Sequence, residues 1–149
     1  MGIDWSVSPY DGTSKPVIGA DGKIKKPVLI LFPGLGGGAD NSYTISLETQ
    51  ALKRGYCVGS ILFRGAQGLP LTSGLLSCAR SSDDARVALE FVQKKYIWDK
   101  DTHSKRTRIY AYGCSLGAQI LGLYLIDYGN DTHIDGAGLY SAPWDTRDG

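Results

Sequence analysis

The chain has 149 residues, 42% of them apolar and 21% charged, with a formal net charge of +1. That is enough apolar sequence to bury one sizeable core, so a single domain over residues 1–149 is expected. A charge this close to zero argues against nucleic acid or an anionic membrane surface as a partner.

Residues 2–8 alternate apolar and polar side chains, the period of a half-buried antiparallel strand. Residues 9–26 are rich in turn formers and read as a surface connection. Pro27-Val-Leu-Ile-Leu-Phe32 is apolar throughout, which is the pattern of a parallel strand covered on both faces. It runs into Pro33-Gly34-Leu35-Gly36-Gly37-Gly38, a loop that exposes its backbone. A helix is predicted over about residues 41–53, with Gly55 as its C-cap. Residues 56–63 form the next strand, and residues 64–77, with Gly65, Gly68, Pro70 and Gly74, a long loop. A helix then runs from Ser81-Ser82-Asp83-Asp84 through Lys95. Ser81 with Asp84 resembles a capping box, and the two aspartates face the positive end of the helix dipole rather than a substrate.

The stretch from Arg108 to Asp127 organises the rest. Residues 108–112 are β-formers, and residues 118–128 space Ile120, Leu121, Leu123, Tyr124 and Leu125 as a broad apolar helical face. Between them lies Gly113-Cys114-Ser115-Leu116-Gly117. Gly-x-Ser-x-Gly between a strand and a helix is the pattern of a nucleophile elbow, which holds a serine hydroxyl exposed on a tight turn. With 20 glycines in the chain, roughly 0.2 such matches are expected by chance, so the flanking strand and helix carry the assignment. A last strand is predicted at residues 137–141.

Alternating strands and helices give an α/β fold with a mainly parallel sheet and helices on both faces. Ligands in such sheets bind outside the carboxyl ends of the strands, which places residues 33–40, 64–77, 113–117 and 142–149 together. An acyl-transfer serine needs two backbone N–H donors for its oxyanion, one from the residue after it and one from an earlier strand's loop. Leu116 and Leu35 are the candidates.

Three motifs in order, Pro33-Gly-Leu-Gly-Gly37, Phe63-Arg-Gly-x-x-Gly68-x-Pro-Leu-Thr72 and Gly113-Cys-Ser-Leu-Gly117, resemble the α/β-hydrolase superfamily. They are most similar to its branch of acylglycerol lipases, medium-chain phospholipases and short-chain carboxylesterases, and Ile3-Asp-Trp5 resembles that branch's second strand. The resemblance implies a serine ester hydrolase working through an acyl-serine on a small ester or lipid, without metal or cofactor. Pro33 stands where the family has a histidine, which removes no N–H donor from Leu35. The resemblance also implies an incomplete fold, with the lid, the last strands and the triad acid and base segment absent, and hence a truncated chain inactive by itself. Peripheral membrane contact is a property of the family.

The serine needs a histidine base oriented by a carboxylate. His103 and His133 both precede strands and so belong to the rim opposite Ser115, about 17 Å away along a five-residue strand. Asp145 follows the last strand on the rim of Ser115 and is the candidate acid. Two other readings compete. Gly34-x-Gly36-x-x-Ala39 after a strand fits a dinucleotide-binding turn, although the next strand ends at Phe63-Arg64 instead of an acidic residue. A non-catalytic interaction protein on the same fold is the other.

Cys57, Cys78 and Cys114 are an odd count without a Cys-x-x-Cys pair, so neither a disulfide framework nor a zinc site is expected. With no signal-peptide pattern and no long apolar run, a cytoplasmic or peripherally membrane-associated protein is expected. Met1-Gly2 with Ser6 matches only the bare myristoylation pattern.

Overall fold

The apolar run after Pro27 becomes the middle strand of a five-stranded sheet in the computed structural model, which describes residues 1–6 and 19–145. The chain runs β1 (Gly2–Trp5), β2 (Val28–Phe32), α1 (Ser42–Lys53), β3 (Cys57–Leu62) and α2 (Asp83–Val92). A two-stranded hairpin follows, β4 (Trp98–Asp99) and β5 (Ser104–Lys105), then β6 (Ile109–Cys114), α3 (Leu116–Tyr128) and β7 (Gly136–Tyr140). The first expected strand is found over its first half. Residues 7 and 8, and residues 9–18 of the connection after it, lie outside the described residues.

The order across the sheet is β1-β3-β2-β6-β7, with β1 antiparallel to β3 and the other neighbours parallel. From β2 the chain moves to one side for β3, then crosses back to place β6 on the other side. β2 and β6 therefore flank the point where the winding reverses, and a crevice opens there at their carboxyl ends.

Period-two alternation decides which side chains meet which helices. Val28, Ile30 and Phe32 of β2 join Ile61, Ile109 and Ala111 in the larger core, with Ala85, Ala88 and Leu89 of α2 and Ile120, Leu121 and Tyr124 of α3. Leu29 and Leu31 point the other way, into a smaller cluster with Val58, Leu47 and Ala51 of α1. Helices therefore cover both faces, and β2 is apolar throughout because each of its faces packs against a core cluster. Burying one such side chain contributes about 1.5–3 kcal/mol.

Two expectations about the second helix need correction. Its α-helical part ends at Val92, and residues Gln93–Ile97 form a wider π-helical turn. That turn presents the Lys94 and Lys95 carbonyls to Lys23 Nζ and the Tyr96 carbonyl to the Ile24 N–H. The capping box is also absent. The N-cap is Ser82, without a side-chain cap bond, and Ser81 bonds to Asp83. The Asp84 carboxylate instead accepts from Ser77 Oγ at 2.7 Å and from Arg64 Nε at 3.2 Å. A cation and a hydroxyl from the preceding loop outcompete a short local bond.

Candidate active site

Ser115 sits between β6 and α3 with φ 52° and ψ −120°, a left-handed conformation that costs a non-glycine residue about 1–3 kcal/mol. The turn is held on both sides. The Ser115 N–H donates to the Tyr140 carbonyl at 2.9 Å, and its own carbonyl accepts from the Gln119 N–H at 3.0 Å. The expected strand, tight turn and helix are all present.

The two flanking glycines are there for space. A β-carbon on Gly117 would fall 2.0 Å from the Phe32 carbonyl oxygen, and one on Gly113 would fall 2.6 Å from Ala118 Cα. The start of α3 is therefore pressed against the end of β2. That closeness brings Leu116, the first residue of the helix, to the loop after β2. The N–H groups of a helix's first turn have no intrahelical acceptor, so Leu116 N–H is available to a ligand.

The loop after β2 is a tight turn. The Gly37 N–H donates to the Gly34 carbonyl at 2.9 Å, with Leu35 and Gly36 at its corner. Gly36 has φ 65°, as the third position of a type II turn requires. Gly34 lies against the serine, since a β-carbon there would be 3.3 Å from Ser115 Cβ. Among the described residues, none accepts a hydrogen bond from the Leu35 N–H. A cavity of about 330 Å³ joins this turn to the start of α3, lined by Gly34, Leu35 and Gly36 on one side, Phe63 and Leu76 on another, and Leu116 next to the serine. A larger groove of about 480 Å³ runs between β1 and α2, but its wall contains no residue of the elbow or of this turn.

Residues 64–77 form one wall of the cavity and are tied at both ends. Arg64 and Ser77 meet at Asp84, and the Arg64 N–H also donates to Ser77 Oγ at 3.0 Å. Near the start of the loop, Gln67 donates to Asp40 and accepts from the Ala39 N–H at 3.4 Å. Gln67, Tyr43 and Asp84 shape the site through these long-range bonds. Only Asp84 carried a visible signal in the sequence, and that signal pointed to a cap.

The remaining expected residues are dispersed. His103 lies in the turn between β4 and β5 with φ 50°. His133 precedes β7, its N–H donates to the Tyr124 hydroxyl at 2.8 Å, and its Nε2 is 3.7 Å from Glu90. Both belong to the amino rim, the length of a strand from Ser115. Asp145 follows β7 on the carboxyl rim and is exposed. Its neighbour Trp144 lies over Gly122, two turns along α3 from the serine. Burial pushes the Cys57 thiol up to about 12, so it is no competing nucleophile. Among the described residues no three His, Cys, Asp or Glu side chains are grouped to hold a metal ion. No described helix is long and apolar enough to cross a membrane.

The dinucleotide pattern does not open a helix. Ala39 stands three residues before α1, and the Gly34 and Ala39 N–H groups, which a pyrophosphate would need, bond to Tyr43 and Gln67.

No family model matches the chain. Among curated proteins it is 31% identical over 137 residues to embryogenesis-associated protein EMB8 of Picea glauca, covering 91% of this chain and 27% of that protein. It is 30% identical over 124 residues to medium-chain fatty acid ethyl ester synthase/esterase 2 of Saccharomyces cerevisiae, covering 83% of this chain and 26% of that protein. With human phospholipase ABHD3 it shares 26% over 121 residues, 81% of this chain and 28% of that protein. Brefeldin A esterase, a bacterial homologue of human hormone sensitive lipase, has a similar fold with a TM-score of 0.52 and 21% identity. That match covers 89% of this chain and 37% of the esterase. The chain belongs to the α/β-hydrolase superfamily. Its relatives there include esterases and phospholipases, and it spans about a quarter to a third of the length of the curated relatives it matches.

Proposed function

We propose that this chain carries the nucleophile and oxyanion hole of a serine ester hydrolase. Ser115 Oγ attacks the ester carbonyl while the Leu35 and Leu116 N–H groups hold the developing oxyanion. The alcohol leaves with a proton, an acyl-serine remains, and water cleaves it to the acid. The observation that supports this most is the Ser115 turn, strained and packed against Gly34, with Leu35 and Leu116 lining one cavity. The apolar cavity suits the chain of a short- or medium-chain ester or a lipid. Exposed Leu35, Leu71, Leu75 and Leu76 favour a lipid surface as the place of encounter.

Both histidines of the sequence stand on the amino rim, so the base comes from polypeptide beyond these 149 residues. On this proposal the chain is one part of a catalytic domain, and alone it is nearly inactive. Removing the base from a complete triad costs about 10⁶ in kcat. Asp145 is the candidate acid. Dissolved imidazole can stand in for the base. In 100 mM imidazole the purified chain is expected to cleave p-nitrophenyl butyrate and octanoate faster than Ser115→Ala, and to be labelled on Ser115 by a fluorophosphonate. Identical wild-type and Ser115→Ala behaviour in both assays overturns the hydrolase reading. It favours the second one, a non-catalytic interaction protein on the same fold, which the distance of both histidines supports. Rapid turnover without imidazole, lost in His103→Gln, His133→Gln or Asp145→Asn, would reveal an internal base or acid.

A further inference from the structure

The geometry points to Tyr43 as the positioning residue that decides which amide of the loop after β2 faces the substrate. This rests on the hydrolase reading of Ser115. Tyr43 is the second residue of α1, and its hydroxyl oxygen accepts the Gly34 N–H at 2.9 Å. The same oxygen lies 2.8 Å from where a β-carbon on Gly37 would be and 3.7 Å from one on Gly34. It therefore sits against both ends of the turn that the Gly37 N–H closes onto the Gly34 carbonyl.

The consequence is a selection among amides. Gly34 is the loop residue packed against Ser115, and Tyr43 occupies its N–H. The Gly37 N–H is occupied within the turn, and the Ala39 N–H by Gln67 Oε1 at 3.4 Å. Leu35, Gly36 and Gly38 are left without an acceptor among the described residues, and of these only Leu35 and Gly36, at the corner of the turn, line the cavity with Leu116. A turn of four residues containing three glycines has wide conformational freedom in isolation. An anchor on a helix supplies the rigidity that an oxyanion donor needs, because a preorganised donor does not reorganise as charge develops. Gly37 must lack a side chain for the same reason, since a β-carbon there would strike the phenol oxygen.

Tyr43→Phe keeps the ring and removes the only atom in question. Amide hydrogen exchange by NMR reads the anchor directly. Gly34 N–H exchange is expected to accelerate at least tenfold, while amides of β2 and β6 keep their rates. Imidazole-assisted fluorophosphonate labelling of Ser115 reads the consequence, with a maximal rate at least tenfold lower and half-saturating reagent concentration within twofold. That split separates positioning from a general loss of structure, which would change exchange throughout the sheet. Unchanged Gly34 exchange overturns the inference, and so does an unchanged maximal labelling rate beside normal wild-type labelling. If wild type and Ser115→Ala label alike, the hydrolase reading fails, and the exchange experiment still decides whether Tyr43 holds the turn.

Discussion

The two rims of the sheet treat their polar groups in opposite ways. At the amino rim they are paired off. Asp135 accepts from the Ile109 N–H at 2.8 Å and from Lys105, Arg106 spans Asp21 and Asp99, and Tyr124 takes the His133 N–H. At the carboxyl rim the tethers go to loops and turns, and particular N–H groups stay uncommitted. Tyr43, Gln67 and Asp84 each hold a segment, and Leu35 is left open at the turn corner. Saturated polar networks fix a fold, whereas a binding site needs donors whose partner has yet to arrive. Backbone crowding is concentrated at the elbow, since Gly36 in the neighbouring turn has nothing within 4 Å. Gly113 and Gly117 admit no β-carbon, while at Gly22, on the amino side, nothing lies within 4 Å.

The largest effect should come from crowding the carboxyl rim. Gly117→Ala is expected to cost about 3 kcal/mol or more, because the new methyl would meet the backbone of Phe32 rather than a mobile side chain. Gly22→Ala, burdened only by φ 73°, should cost about 1 kcal/mol. Urea midpoints measure both, and equal losses would erase the contrast.

Next is Asp135→Ala, which leaves the fully buried Ile109 without an acceptor for its N–H. A stability loss of about 2 kcal/mol is expected, with imidazole-assisted labelling of Ser115 kept within roughly twofold once folding is saturated. A large fall in labelling would show that the rims are not independent.

Asp84→Ala should cost less, about 1 kcal/mol, since the two groups it bonds, Arg64 and Ser77, belong to a surface loop and can turn to water. Limited proteolysis should then cut residues 64–77 faster than wild type while the sheet resists. Unchanged cleavage would mean that Gln67 alone holds the wall.

The smallest effect concerns acid. The Asp101 backbone N–H, assisted by Arg106, holds Asp99 below the usual carboxylate range. A depressed folded-state value means the contribution is fully present above the unfolded value, near 3.9, and is lost as pH falls through the lower folded value. Between pH 5 and pH 2 wild type should lose slightly more stability than Asp99→Asn. A steeper loss in the variant would contradict the assignment.

Much of this is legible in the sequence alone. The unbroken apolar run in β2 foretold burial on both faces, and Gly113-x-Ser115-x-Gly117 between a strand and a helix foretold the turn. Those signals are local, with period and spacing set by backbone geometry. What stayed hidden was pairing at a distance. Asp84 looked like a cap because a cap is the nearest use for an acid in a first turn, and its partner Arg64 is 20 residues away. Tyr43 carried no signal in the sequence, because its partner is a backbone N–H nine residues earlier. The hairpin of β4 and β5 is too short to show a period, and the wide turn at residues 93–97 has no sequence mark that propensity can read.

The register of β2 has a consequence for how the chain is made. Val28 pairs with Cys57 on one side but with Ile109 on the other, a partner about 80 residues later. At roughly 5–20 residues per second, the ribosome takes some 4–16 s to deliver that second neighbour. Throughout that interval the most apolar strand of the sheet has one bare edge. Late closure of so distant a contact slows folding and exposes a sticky segment. The same crossover that opens the crevice for Ser115 thus leaves the newborn chain with an uncovered apolar strand edge until β6 is made.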